Sequence, residues 1–199
     1  KFRTLLSTCH NILFSYSGSN GIRLFKYIIH YFCATDELKS YLDAICSLSG
    51  LSNTVILLQL NQTAKLEQPD YFAIVGIENW SAKNRFPKYG NLNKAFSGAA
   101  QIPFSILLSH DPSHWRAQVL SNYPTIALTL SGHTHGMQFG IELPGVRWSP
   151  IQYVYAEWAG LYEQLDQKLY VNRGFGFIGY PGRVGILPEI TVIELFSKD

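Results

Sequence analysis

Cysteine and methionine are scarce in this chain: Cys9, Cys33, Cys46 and Met137 are the only ones among 199 residues. Three cysteines, without CxxC spacing or a disulfide rhythm, exclude a disulfide-built scaffold and leave the redox compartment open. Charge is sparse as well. Sixteen Lys and Arg against fourteen Asp and Glu leave a net +2, which gives no electrostatic case for a nucleic-acid partner or an anionic membrane surface. Long apolar runs are missing too. The stretch from Ile22 to Ala34 is broken by Arg23, Lys26 and His30 and is too short to cross a bilayer. No membrane-spanning segment is expected, and the chain reads as soluble by itself. Its first residue is Lys1 and no signal peptide opens it, as in a fragment, a processed product or a clipped chain.

What is present is a globular composition. At 22.5 kDa, 47% hydrophobic and 15% charged, the chain has the size of one domain or two small ones and enough apolar mass for a core. Disordered, collagen-like and coiled-coil classes are excluded. The composition is uneven along the chain. All three cysteines precede residue 47, whereas all nine prolines and all four tryptophans follow residue 68. One account is a helical N-terminal segment joined to a loop-rich α/β body. The other is that residues 1–54 have a different origin, such as a frame-shifted or replaced stretch, ahead of a domain spanning residues 55–199.

Strand-like runs stand at Val55–Leu60, Tyr71–Glu78, Phe104–Ser109, Ile126–Leu130, Lys168–Asn172 and Glu189–Leu195. Helical signals stand at Asp36–Leu48, at Asn91–Phe96 with Gly98 as a stop, and at Ser113–Leu120 with Ser113 near the N-cap. Ser15–Gly21 has the Ser/Gly/Asn content of a flexible turn region. Mixed strands and helices joined by Gly/Pro loops predict an α/β fold.

The histidines carry the chemistry. Ile106–Pro112 and Leu128–Gly136 share one design, an apolar strand followed by a small residue and a histidine. Strand ends of α/β sheets are where ligands bind, because loops there sit on a rigid base. Residues two apart in extended chain project to the same side, so His133 and His135 are able to address one site. Neutral imidazoles suit Zn, Fe, Ni or Mn. Lone histidines are more often packed or solvated, and His10, His30 and His114 are assigned there. Arg183, in a Gly/Pro-rich loop, is a candidate for substrate phosphate, with a loop brace as the alternative. Asp111 is either an orienting partner of His110 or a helix-start charge. Glu157 and Trp158 read as loop stabilisers, and the aromatics from Phe72 to Tyr89 as core or lip packing.

Gly132-His-Thr-His-Gly136 resembles the last metal motif of the calcineurin-like metallophosphoesterases, and Leu108-Ser-His-Asp-Pro112 resembles the motif before it. Further likeness to the bacterial, often membrane-anchored branch lies in Val75–Trp80, Phe86–Gly90, Gly160–Tyr162, Tyr170–Gly174, Gly179–Arg183 and Pro188–Thr191. Met137 departs from the pattern, standing where many members carry a second glycine. The resemblance implies the C-terminal half of an αββα sandwich. It further implies that His110 and His133 ligate one divalent ion and His135 another, that Arg183 meets substrate, and that a longer parent is membrane-anchored. Which of Mn, Zn, Fe or Ni is used stays open. The implied reaction is hydrolysis of a phosphomonoester or phosphodiester by a two-metal centre without a covalent intermediate.

The family's upstream Asp-x-His, Gly-Asp and Gly-Asn-His motifs have no counterpart here. Thr8-Cys-His-Asn11 has the wrong order and lacks the glycine. Three neutral imidazoles without a bridging carboxylate hold two dications poorly, since nothing offsets the ions' mutual repulsion. That gap is the reason for reading residues 1–54 as altered. The alternative function is a degenerate remnant that keeps the fold and binds at most one metal. A closed structural zinc site is disfavoured, because three histidines without a nearby cysteine leave it incomplete.

Overall fold

The computed structural model describes residues 10–17, 23–30, 62–66, 72–86, 88–174 and 176–195. Its centre is a six-stranded mixed sheet in the order β3-β4-β5-β6-β10-β9. These strands are β3 Gln62–Leu66, β4 Phe72–Gly76, β5 Ser105–Leu108, β6 Ile126–Ser131, β9 Gly160–Gln164 and β10 Gln167–Val171. The inner four, β4, β5, β6 and β10, run parallel, and antiparallel β3 and β9 close the two sides. A second sheet, ordered β11-β1-β2, joins β11 Thr191–Leu195 to β1 His10–Ser17 and β2 Arg23–His30. A two-stranded hairpin of β7 Ile141–Leu143 and β8 Val146–Trp148 stands apart from both.

The sequence of the inner strands explains their burial. A parallel strand covered on both faces must be apolar on both, so its hydrophobic run is nearly continuous. In β4, Ala73 and Val75 point to one face and Ile74 to the other; in β5, Leu107 opposes Ile106 and Leu108. The first face packs under two helices. These are α1, Leu92–Phe96, and α2, which is π-type over Trp115–Val119 and α over Leu120–Asn122. Leu92, Ala95, Trp115 and Val119 supply their side of that core. On the opposite face Ile74, Ile106, Leu108, Leu128 and Leu130 pack with Ile193 of β11, which brings the second sheet against the first. Helix, sheet and sheet thus form three successive layers of an α/β sandwich.

Helix α1 starts as expected: Asn91 caps it, its side chain accepting the N–H of Lys94 at 2.9 Å. At the second helix the expected cap is displaced. Asp111, not Ser113, does the capping, its Oδ1 accepting the Ser113 N–H at 2.8 Å. The Ser113 hydroxyl instead accepts the N–H of Ala82 at 2.9 Å, tying the helix start to the loop after β4. Six strands were not read as strands from the sequence: β1, which runs through Ser15–Ser17 of the supposed turn region, β2, β3, the hairpin pair β7 and β8, and β9, whose Gly160–Tyr162 entered only as a family likeness. The expected elements at Asp36–Leu48 and Val55–Leu60 lie outside the described residues.

Candidate metal site

The parallel register decides where the histidines meet. Gly76 pairs with Leu108 and Leu108 with Leu130, while Ser131 pairs with Val171, so β4, β5, β6 and β10 all end at one edge. His110 stands two residues beyond β5 and His133 two residues beyond β6. The Ser109 N–H donates to the Leu130 carbonyl at 3.0 Å, and the Gly132 N–H donates to the His110 carbonyl at 3.0 Å. These bonds continue the ladder past the strands and lock the two loops together. The result is direct contact: His133 Nδ1 lies 2.9 Å from His110 Nε2, with ring centroids 4.8 Å apart.

The turn after β6 is strained. His133, His135, Met137 and Gln138 have φ of 68°, 51°, 55° and 57°, and Gly136 has 57°. Left-handed backbone costs a non-glycine residue about 1–2 kcal/mol, and such residues gather at functional sites when their surroundings hold them. The holders are visible. The Thr134 hydroxyl donates to the Trp158 carbonyl at 2.7 Å, and the Ser149 hydroxyl donates to the Gly136 carbonyl at 2.9 Å. Buried Gln138 binds the Tyr180 carbonyl through its amide at 3.0 Å, and its own carbonyl accepts the Tyr180 hydroxyl at 2.7 Å. The left-handed φ of Met137 also explains why glycine suits that position in the family pattern.

His135 is buried, and burial, then Arg183, then His133 push its pKa down to about 4. Burial likewise lowers the pKa of His133, against the pull of Asp111. Both rings are therefore neutral at pH 7, the state that ligates metal. Arg183 is engaged with the turn itself: its guanidinium donates to the carbonyls of His135 at 3.2 Å, Arg173 at 2.9 Å and Gly176 at 2.8 Å.

The remaining candidates fall into place around this pair. His114 is a satisfied core histidine, with Nδ1 2.9 Å from the Ser109 hydroxyl and Nε2 2.7 Å from Gln118 Oε1. Glu157 is buried and pairs with Arg116. The side chains of His10 and His30 lie outside the described residues, although their backbones are register partners in β1 and β2. Of two neighbours of the site, Tyr155 had no local signal in the sequence, whereas Phe86 opens the family-like run Phe86–Gly90. Tyr155 donates its hydroxyl to Asp111 Oδ2 at 3.0 Å from 44 residues away, and its ring lies 5.3 Å from that of His133. Phe86 presents an edge to His133 at 4.8 Å.

The donor chemistry fits a metal in part. Two neutral imidazole nitrogens 2.9 Å apart suit two adjacent positions around one ion. Among the described residues, no three His, Cys, Asp or Glu side chains group closely enough to hold an ion by themselves. The pair offers two donor nitrogens, and no third donor closes a site around them among the described residues.

Buried His114 gives a pH test. Burial pushes its pKa down to about 4 in the folded chain, against 6.5 when exposed. Between those values the unfolded chain binds a proton that the folded one refuses, so stability is full above pH 6.5 and falls as pH drops towards 4. The loss at 1.36 kcal/mol per unit is about 3 kcal/mol. Urea unfolding at pH 7, 5.5 and 4 should show it, with a flatter dependence in His114→Asn.

A three-layer α/β sandwich with a histidine pair at its parallel strand ends defines the class: an α/β protein with a strand-end histidine site. The chain is similar in sequence to several known proteins. Over 143 residues, 68% of this chain and 31% of the relative, it is 34% identical to "Transmembrane protein with metallophosphoesterase domain" of Danio rerio. Over 97 residues, 48% of this chain and 32% of the relative, it is 43% identical to the metallophosphoesterase YkuE of Bacillus subtilis. To the phosphodiesterase YaeI of Escherichia coli it is 29% identical over 150 residues, 73% of this chain and 49% of that one. In its C-terminal part, the chain belongs to the calcineurin-like metallophosphoesterase family. It spans about a third of the length of the first two relatives. The relatives include animal as well as bacterial proteins, so the family is established rather than its bacterial branch. No family model and no solved structure matches. Among the described residues no helix is long and apolar enough to cross a membrane.

Proposed function

We propose that this chain carries the histidine-bearing part of a phosphoesterase site, with His110 and His133 holding one divalent ion and His135 contributing to a second. The observation that carries the reading is the 2.9 Å approach of His110 Nε2 and His133 Nδ1 at two adjacent parallel strand ends. When bound, divalent ions supply Lewis acidity towards phosphoryl oxygens and a lowered pKa for water. The chain's own residues hold the ligands still: the Gly132–His110 backbone bond and the Thr134, Ser149 and Gln138 anchors keep the turn in place. Arg183 stabilises the same turn through the His135 carbonyl, and its proposed contact with substrate phosphate is made by guanidinium hydrogens left after its three carbonyl bonds. The substrates are phosphomonoesters or phosphodiesters, and a longer parent is anchored at a membrane, as the name of the Danio rerio relative suggests. Residues 1–54 are proposed to be altered relative to a complete domain, whose acidic ligands belong upstream of residue 55.

The reading is tested by titrating the 199-residue chain with Zn²⁺ and Mn²⁺. Weak uptake of one ion is expected, abolished by His133→Ala with His135→Ala. Turnover of p-nitrophenyl phosphate and bis-p-nitrophenyl phosphate should stay negligible, because among the described residues no three His, Cys, Asp or Glu side chains group to hold an ion, and two cations without a bridging carboxylate repel each other unopposed. Robust metal-dependent turnover by this chain, lost in His133→Ala, would mean that its N-terminal segment already supplies the missing ligands.

A further inference from the structure

Asp111 has one more task than its helix cap accounts for. It is fully buried, and both of its oxygens are committed. Oδ1 accepts the Ser113 N–H at 2.8 Å, and Oδ2 accepts the Tyr155 hydroxyl at 3.0 Å. Held at both ends, the carboxylate cannot rotate. Its Oδ2 faces His133 Nε2 at 3.8 Å, on the opposite side of the imidazole from the Nδ1 that meets His110. The ring orientation is fixed from the flanks by the edge contact with Phe86 and by Tyr155.

We propose that Asp111 is a positioning residue for His133, holding its imidazole as the Nε2–H tautomer so that the Nδ1 lone pair is directed at the site it shares with His110. The proposal rests on reading the His110–His133 pair as metal ligands. A carboxylate offers only acceptors. Facing it with the Nε2 lone pair would set negative against negative in a dry environment, whereas an Nε2–H is attracted. At 3.8 Å the contact is longer than a hydrogen bond, so the selection acts through charge. Ligating histidines commonly have their second nitrogen fixed by such an acceptor, and losing it costs about 10–100-fold in metal affinity. Helix capping uses Oδ1 and the Tyr155 bond holds Oδ2, which places that oxygen's charge against His133 Nε2.

Asp111→Asn separates the two roles. The Ser113 N–H demands an oxygen on its side, so the new amide caps the helix with its oxygen and turns its NH₂ towards Tyr155 and His133. A donor there favours a lone pair on Nε2 and a proton on Nδ1. The experiment is long-range proton–nitrogen NMR of the ¹⁵N-labelled full chain, with His133 assigned by His133→Gln, beside calorimetric titration with Zn²⁺. Wild-type His133 should be the Nε2–H tautomer. Asp111→Asn should move it to Nδ1–H and weaken Zn²⁺ tenfold or more, with helical circular dichroism unchanged. Tyr155→Phe should keep the wild-type tautomer. A wild-type His133 protonated on Nδ1 overturns the proposal without any variant. So does a folded Asp111→Asn that keeps the Nε2–H form. A tautomer that switches in a chain which binds no Zn²⁺ upholds the hold of Asp111 on the ring and sinks the metal reading of the pair.

Discussion

Joined behind an N-terminal half that carries the family's Asp-x-His, Gly-Asp and Gly-Asn-His motifs, residues 55–199 should hydrolyse bis-p-nitrophenyl phosphate in a Mn²⁺- or Zn²⁺-dependent manner, and His133→Ala should cut that rate by about a thousandfold. The magnitude follows from the several kcal/mol of charge stabilisation that a catalytic ion supplies, at 1.36 kcal/mol per factor of ten. His110→Ala should be nearly as damaging, and the double variant no worse than either. The two nitrogens are 2.9 Å apart and would act as one unit, so their losses do not add. His114→Ala sits four residues from His110 yet should leave the metal dependence intact, because its ring is spent on Ser109 and Gln118. Steady-state rates across a metal titration decide it. A His133→Ala chimera that keeps full metal-dependent turnover would remove His133 from the site.

Trp115→Ala should destabilise the chain by about 3–5 kcal/mol, the usual cost of emptying a buried aromatic site. Against a total stability of about 5–15 kcal/mol, that is enough to threaten folding. Trp115 is 1% exposed and joins the second helix to Val75, Leu107 and Leu169 under the main sheet. Its indole Nε1 is buried and has no hydrogen-bond partner among the described residues. Trp115→Phe should therefore cost much less than the alanine variant. It forfeits some packing, yet it removes a buried donor whose missing bond costs about 1–3 kcal/mol. Equilibrium urea unfolding of the two variants measures the difference, and equal losses would contradict the account.

Much of the body was legible from local pattern. Continuous apolar runs such as Phe104–Ser109 and Ile126–Leu130 admit few alternatives once Gly, Pro and Asn bound them, and each holds a strand in the structure. Asn91 announced its helix because a short side-chain oxygen three residues before Lys94 N–H has an obvious partner. The hairpin at Ile141–Trp148 and the strands β1 and β2 of the second sheet were harder. The hairpin strands are three residues each, where the alternation is too brief to register, and β1 takes its second partner, β11, from the far end of the chain.

The sequence by itself determined the α/β class, the family motifs and the pair of strand-then-histidine loops, because these depend on spacing within a few residues. Only the tertiary structure decided which nitrogens face each other, since that depends on the parallel register of β5 and β6 and on the left-handed turn after Gly132. It also settled where Asp111 looks and what Arg183 binds: a cap on one oxygen and Tyr155 on the other, and the carbonyls of nearby Arg173 and Gly176 together with that of His135, 48 residues upstream. The physical reason is the same in each case. A polar side chain in a buried loop goes to whichever unsatisfied group folding brings within 3 Å, and no local spacing records which group that is.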